Sequence, residues 1–268
     1  MYPKIYQSLF HEPWLIDPIA HQSMQKTLIA RINSTEGIIP QRADMRDKER
    51  LNSNGEKVRE YKMIGDVAHI SVTGVLGKKL SMMESMCGGF DMNKLADMVK
   101  MAADDEKVKS IVIDMDSPGG TVTGTYETAT MIAEAAKIKP VYGFTEKVAA
   151  SAAYWLLSQC THIFTTPSAM LGSIGVYMAF MKSGEDMELI KSGKFKAMGL
   201  KELTEEERDL LQERVTDTHL KFKKEVSAKR PVTDDIMEGL TYTGEQSIEN
   251  GLADSLVIDF DEMMSLIN

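Results

Sequence analysis

Cysteine is nearly missing from this chain. Only Cys87 and Cys160 occur among its 268 residues, and neither stands in a metal-binding or redox spacing. A disulfide scaffold is thereby excluded as the source of stability, and a reducing compartment is expected. Long apolar runs are missing as well. The longest candidate, Ala149 to Leu157, is interrupted by Ser151 and falls short of the roughly 18–20 apolar residues a membrane span needs. The opening Met1-Tyr2-Pro3-Lys4-Ile5 does not follow the charged-then-apolar order of a secretory signal, since polar residues and His11 interrupt it. Positive charge is in deficit, with 31 Lys and Arg against 40 Asp and Glu, for a net charge of -9. That balance speaks against a general nucleic-acid binder and against adhesion to an anionic membrane. A soluble, cytoplasmic protein is expected. What is abundant is ordinary: 43% hydrophobic and 26% charged residues, enough for one large α/β core with or without a small appendage. The 20 methionines are read as core filler rather than as a metal site.

The chain divides near residue 62. Residues 1–62 read as an N-terminal extension, with a possible helix over Pro18 to Ile32 followed by a charged linker from Ile38 to Lys62 containing Asn52, Asn54 and Gly55. Residues 63–268 read as a regular core ending in a helix. Val67 to Val72 alternates as a strand that stops at Gly74. Asp91 to Asp104 reads as a helix with Asp91 as its N-cap and Leu95, Met98, Val99 and Ala102 on one face. Ser110 to Met115 carries the continuous apolar run of a buried parallel strand. A helix over Thr121 to Lys137 follows, with Tyr126, Ala129, Ile132, Ala133 and Ala136 at helical spacing, then a strand from Val141 to Thr145. This is a βαβ unit. A second passage repeats it, with a helix from about Ser151, a strand His162 to Thr166, and a further strand Ile174 to Phe180. Thr204 to Lys229 reads as a long helix, capped by Thr204, led by Glu205, Glu206 and Glu207, and striped by Leu211, Val215, Phe222 and Val226.

Three segments carry chemistry. Ser117-Pro118-Gly119-Gly120 follows a buried strand, and its glycines allow a tight turn that exposes N–H groups to a ligand. The same four residues also suit an ordinary strand-to-helix turn, and the Lys-Ser/Thr ending of a phosphate loop is absent. Ser151 lies among Ala149, Ala150, Ala152 and Ala153, which leave room for an approaching backbone. It is equally the residue type that caps helices. Ser192-Gly193-Lys194-Phe195-Lys196 offers a base, provided its lysine loses a proton near neutral pH. Spacing alone does not separate Lys191, Lys194 and Lys196. His11, His21, His69, His162 and His219 are scattered, no Gly-x-Ser-x-Gly surrounds Ser151, and no His/Cys/Glu cluster has metal-ligand spacing. Neither a metal nor another cofactor is expected.

Taken in order, these residues resemble the serine–lysine peptidase family that includes signal peptide peptidase A and the phage capsid (head maturation) proteases. The likeness rests on Asp114-Met115-Asp116-Ser117-Pro118-Gly119-Gly120, Ala150-Ser151-Ala152-Ala153-Tyr154, Leu171-Gly172-Ser173-Ile174-Gly175-Val176 and Ser192 to Lys196. The tail adds Tyr242-Thr243-Gly244-Glu245-Gln246-Ser247-Ile248 with Gly251-Leu252-Ala253-Asp254. It covers about residues 65 to 258. The resemblance implies an α/β fold of the Clp protease and crotonase superfold, built from repeated ββα units. It implies Ser151 as nucleophile, Lys196 as general base, Gly119 and Gly120 at the oxyanion, and a ring or stacked oligomer of identical chains. One departure is Ser151-Ala152-Ala153, where the family often has Ser-Gly-Gly or Ser-Ala-Gly; the methyls narrow the backbone channel and bear on substrate preference. The opening Ile5-Tyr6-Gln7-Ser8-Leu9-Phe10-His11-Glu12-Pro13-Trp14-Leu15-Ile16 is similar to that of the phage branch.

The expected function is therefore a serine endopeptidase that cleaves scaffold or coat-protein segments during phage head assembly, in the host cytoplasm or within the assembling head. The substrate is expected to add as a strand along Gly172, Ser173, Ile174 and Gly175 toward Phe180. The chain ends at Asn268, so any scaffold is expected from another polypeptide. Self-cleavage, if it occurs, is expected within the charged residues 41–62. Alternatives are a soluble bacterial peptide-degrading enzyme of the signal-peptide-peptidase type, a non-catalytic capsid-assembly component, and a crotonase-type acyl-CoA enzyme, which would have no use for a Ser151/Lys196 pair.

Overall fold

A computed structural model describes Trp14–Ile16, Gln22, Lys26, residues 59–178 apart from Cys87, then Ser192, Lys194, Phe195, Met198 and residues 202–267. Of the helix expected over Pro18 to Ile32, only Gln22 and Lys26 are described, and both are helical; the charged linker and Lys196 lie outside the described residues. Along the chain, β1 (Trp14–Ile16) precedes β2 (Lys62–Ile64), β3 (Val67–Thr73) and β4 (Val75–Gly77). Helix α1 (Met82–Met86) and β5 (Gly89–Asp91) lead into α2 (Met92–Asp104). Two compact units follow, β6 (Ser110–Asp116), β7 (Gly119–Thr121) and α3 (Thr125–Ile138), then β8 (Val141–Thr145), β9 (Val148–Ala150) and α4 (Ala152–Ser158). After β10 (His162–Thr165) and β11 (Met170–Gly172) come α5 (Glu205–Ser227), β12 (Thr241–Thr243), α6 (Gly244–Glu249), β13 (Ser255–Leu256) and α7 (Phe260–Ile267).

The ββα repeat is visible in how the strands sort. In each unit the first strand, β3, β6, β8 or β10, enters one six-stranded sheet of order β13-β10-β8-β6-β3-β2. The second strand turns out of that sheet. β4 and β7 join a four-stranded sheet of order β1-β7-β4-β5, whereas β9 and β11 join a three-stranded sheet of order β12-β11-β9. The large sheet is parallel except for β2. Parallel strands covered on both faces must be apolar throughout, and β6 obliges with Ile111, Val112, Ile113 and Met115, all 0% exposed. This is the α/β arrangement of repeated ββα units expected above.

Local chemistry sets the helix ends. Asp91 caps α2 by accepting from Asn93 N–H, and Leu95, Met98, Val99 and Ala102 are buried as expected. Thr204 and Glu207 form a reciprocal capping box at the start of α5. Leu211, Phe222 and Val226 of the α5 stripe are buried, while Val215 is half-exposed. Two expectations are corrected. Helix α3 begins at Thr125 rather than Thr121, because Gly119–Thr121 is drawn into strand pairing; its buried side is Thr125, Thr128, Ala129, Ile132 and Ala135, and Tyr126 faces solvent. The strand expected over Ile174 to Phe180 is not formed among its described residues. Residues 173–176 follow β11 without regular structure, and Tyr177 makes only an isolated bridge to Trp14; Phe180 lies outside the described residues.

Buried Arg230 fastens the far end of α4. Its Nε donates to the Ser158 carbonyl, Nη2 to the Cys160 carbonyl, and Nη1 pairs with Asp254. A helix leaves its last carbonyls without intrahelical donors and its C-terminus negative, so a guanidinium there answers both needs. Asp254 in turn accepts from Ile163 N–H in β10. Removing one member of such a set leaves buried groups unmatched, so Arg230→Met is expected to lower stability by about 3 kcal/mol. The shift of the urea midpoint measures it; an unchanged midpoint would show that the set is energetically idle.

Candidate active site

The turns that leave the large sheet at the ends of β6 and β8 meet at one place. After β6 the chain runs through Ser117 and Pro118 into β7; after β8 it runs through β9 to Ser151. Ser117 N–H donates to the Val148 carbonyl at 2.8 Å, and Ala150 N–H donates to the Ser117 carbonyl at 3.1 Å. These bonds hold the glycine turn against the strand that ends in the serine. Sites at the carboxyl ends of parallel strands are the rule in open α/β sheets.

Ser151 has φ 55° and ψ -118°, outside the regions open to L-residues and close to the first central position of a type II′ turn, where glycine is usual. The conformation is imposed from both sides. Ser151 N–H donates to the Gly172 carbonyl at 2.7 Å, and its own carbonyl accepts from Trp155 N–H at 2.9 Å as α4 begins. Residue 151 thus occupies the N-cap position of α4, yet its side chain makes no capping bond. The hydroxyl is buried, and among the described residues it has no hydrogen-bond partner. An ordinary cap serine uses its oxygen on the helix; this one does not. Strain at a residue with an unoccupied buried hydroxyl is the pattern of a functional position.

Gly119 and Gly120 lie beside it. Gly119 has φ 106°, and a β-carbon there would fall 2.1 Å from the Leu15 carbonyl oxygen and 3.0 Å from Ser151 Cβ. The sequence suggested that both N–H groups face an oxyanion. Gly119 N–H, however, donates to Ser117 Oγ at 3.2 Å, so that donor is engaged in holding the turn.

Of the expected substrate-contacting residues, the structure brings Gly172 and its neighbours to Ser151. Gly172 pairs with Ala150 in register and with Thr241 on its other side, so β11 offers no open edge. Ser173 has φ 51°, and its N–H donates to the Leu240 carbonyl. Ile174 is fully buried, and its carbonyl faces His219 Nε2 at 3.0 Å. Gly175 packs against Gly239. Lys194 is described and pairs with Glu206.

The described histidines serve elsewhere. His69 meets Asp114, and His162 meets Ser255 Oγ at 2.9 Å, with burial pushing the His162 pKa down. The Cys160 thiol is buried and pushed up to about 12 by desolvation, which removes it as a nucleophile. Among the described residues no group of three or more His, Cys, Asp or Glu could hold a metal ion, and no helix is long and apolar enough to cross a membrane.

Such a meeting of strained serine and glycine turn suits acyl transfer, and comparison with known proteins agrees. Residues 133–265, the region that carries Ser151, match peptidase family S49. The chain is 32% identical over 217 residues to capsid assembly protease C of Escherichia phage lambda, covering 76% of this chain and 49% of the relative. It is 28% identical to head-tail preconnector protein GP5 of Enterobacteria phage P21, over 94% of this chain and 54% of the relative. It is 30% identical to a putative signal peptide peptidase SppA of Enterococcus faecium, over 63% and 53%. The chain spans about half the length of these curated relatives. Among solved structures, a variant of the 1510-N membrane-bound stomatin-specific protease with a substrate peptide aligns with a TM-score of 0.48 at 14% identity, over 74% of this chain and 78% of that one. An enoyl-CoA hydratase/isomerase family protein from Silicibacter pomeroyi aligns at 0.49 and 13%, over 77% and 78%.

Two features of the site were not read from the sequence. One is the Gly172 carbonyl that fixes Ser151, for which no local signal exists. The other is the presence of Leu15 at the glycine turn, whose only trace was the apolar phrase around Trp14.

Proposed function

We propose that this chain is a serine endopeptidase with a Ser151/Lys196 dyad that cleaves scaffold or coat-protein segments during phage head assembly. Residues 63–268 would be the peptidase core and residues 1–62 an extension. The observation that carries the reading is the Ser151 hydroxyl, held on a strained backbone beside Gly119 with no partner among the described residues. In the proposed reaction Lys196, neutral before attack, takes the proton as Ser151 Oγ adds to the peptide carbonyl, then delivers it to the leaving amine. The tetrahedral oxyanion is held by Gly120 N–H and by Ala152 N–H, one of the first α4 amides that have no acceptor within the helix. Gly119 contributes its φ and its bond to Ser117 Oγ, which keep the turn open to a backbone. Water then releases the acyl group from Ser151 by the same two steps, with Lys196 again moving the proton.

The kinship with the phage lambda and phage P21 proteins supports a protein substrate of the capsid; a homo-oligomer working in the host cytoplasm or the assembling head belongs to the same proposal. The kinship with the putative signal peptide peptidase SppA favours one second reading, a peptidase that digests short peptides without regard to capsid origin. Lys196 supplies the test of the dyad. Lys196→Ala is expected to lower kcat/KM on the order of 10³-fold or more. Lys196→Arg is expected to fail equally, since a guanidinium stays protonated. Activity retained in either variant would remove Lys196 from the mechanism.

A further inference from the structure

We propose that Trp14-Leu15-Ile16 lies in the place of the substrate backbone, so that the chain closes its own cleft with an internal peptide that a substrate must displace. The proposal rests on Ser151 being the nucleophile. Strand β1 pairs antiparallel with β7, with Trp14 opposite Thr121, Leu15 opposite Gly120 and Ile16 opposite Gly119. On its other side Trp14 exchanges two hydrogen bonds with Tyr177, N–H to carbonyl at 2.8 Å and carbonyl from N–H at 3.2 Å. β1 is thus a strand inserted between the glycine turn and the segment after β11. Extended peptides are bound in this way, by main-chain bonds to waiting strand edges.

Alternation within the ladder decides where the Leu15 carbonyl points. A strand residue turns its N–H and C=O to one side and the next residue turns them to the other. Since Trp14 faces Tyr177, Leu15 faces β7 and forms the hydrogen-bonded pair with Gly120. The position of a Gly119 β-carbon marks the junction, 2.1 Å from the Leu15 oxygen and 3.0 Å from Ser151 Cβ. A peptide carbonyl is therefore already seated against the glycine turn, close to the serine. Closure is complete: Trp14 and Leu15 are 0% exposed, Ile16 is 2% and Ser151 is 1%. A nucleophile that has to meet another protein cannot do so while β1 remains. Without β1, the edge of β7 is open to a second extended segment.

The test fixes or frees β1 in the full-length chain. Trp14 and Thr121 are directly opposite, and on the β7 side they form the non-hydrogen-bonded pair, whose close Cα spacing suits a disulfide. The chain carries Trp14→Cys, Thr121→Cys, Cys87→Ser and Ser151→Ala; Cys160 stays, since its raised thiol pKa keeps it out of exchange. The probe is a fluorescein-labelled peptide of residues 10–19, followed by anisotropy. The reduced protein is expected to bind it at least about tenfold more tightly than the oxidised one, because apparent affinity scales with the open fraction. Equal affinity in both states, or binding in neither, would overturn the proposal. Leu15→Ala in the Ser151→Ala chain provides a second route with the same readout, expected to bind the peptide more tightly than Ser151→Ala alone. Binding requires no catalysis, so failure of the peptidase reading would leave this result standing. Conversely, an active enzyme whose hydrolysis ignores the oxidised crosslink would refute only the occupied cleft.

Discussion

Ser151→Ala is expected to reduce peptide-bond hydrolysis by roughly 10⁴-fold or more while the protein folds normally, because no neighbouring oxygen takes over a covalent nucleophile. The companion variant Ser151→Gly should be equally inactive and more stable. At φ 55° and ψ -118° a side chain is strained, a cost on the order of 1–3 kcal/mol, and glycine removes it. Alanine keeps the strain but removes a buried hydroxyl that has no partner among the described residues. The predicted order of stability is Ser151→Gly above Ser151→Ala, with Ser151→Ala no lower than the parent. Thermal melts of the three proteins, beside kcat/KM on a peptide, read both effects. A helix cap behaves in the opposite way, since its loss to alanine costs about 1 kcal/mol. Destabilisation of that size in Ser151→Ala, with hydrolysis intact, would return Ser151 to the role of a structural cap.

The second large effect is expected at Gly120. A β-carbon there would lie 1.9 Å from the Leu76 carbonyl oxygen and 2.6 Å from its carbon. These are backbone atoms of β4, itself fixed between β5 and β7, so they cannot step aside as a side chain would. Gly120→Ala should move β7 off β4 and with it the proposed donor. Loss of one oxyanion donor removes about 2.7–4 kcal/mol of transition-state stabilisation, so kcat/KM should fall by about 10²–10³-fold. Overpacking should cost a further 1–3 kcal/mol of folding stability. Gly119→Ala differs in kind, because φ 106° strains any side chain there and its nearest obstacle is the Leu15 oxygen of β1. If β1 is a displaceable occupant, Gly119→Ala frees β1 and binds an added peptide more tightly, whereas Gly120→Ala does not. Anisotropy of the labelled peptide with the pair decides this. Kinetics and denaturation midpoints test Gly120→Ala, and near-parent activity in it would take Gly120 out of the site.

How much could be read in advance depended on where the determining interactions lie. Strand β6 was legible because Ile111, Val112 and Ile113 form a buried apolar run without alternation, and β8 because it follows the Pro140 that ends the preceding helix. Helices α2 and α5 were legible through Asp91 and Thr204, whose capping is local. The three-residue strands were not. Gly119–Thr121 has no strand propensity of its own and becomes β7 only through partners at Leu76 and Trp14–Ile16, and that pairing displaced the start of α3. The segment after β11 misled because Ile174 and Val176 look like a strand, whereas Ser173 bonds to Leu240, the Ile174 carbonyl faces His219 and Tyr177 bonds to Trp14. At the site, Ser151 was legible as a residue type among small neighbours. Its backbone conformation was not, since the Gly172 carbonyl that imposes it arrives from β11. Leu15 was invisible as a site element for the same reason: more than one hundred residues separate it from Gly120 in the chain, and only the folded ladder brings them together.

The most direct test of the account is intact-mass analysis of this chain, and of its Ser151→Ala form, each co-expressed with the phage scaffold and coat proteins proposed as its substrates. Discrete fragments of those proteins that appear with Ser151 and vanish with alanine are the predicted result, and their masses give the cleavage sites. Uncut partners in both cultures, with heads still assembling, would contradict a maturation peptidase.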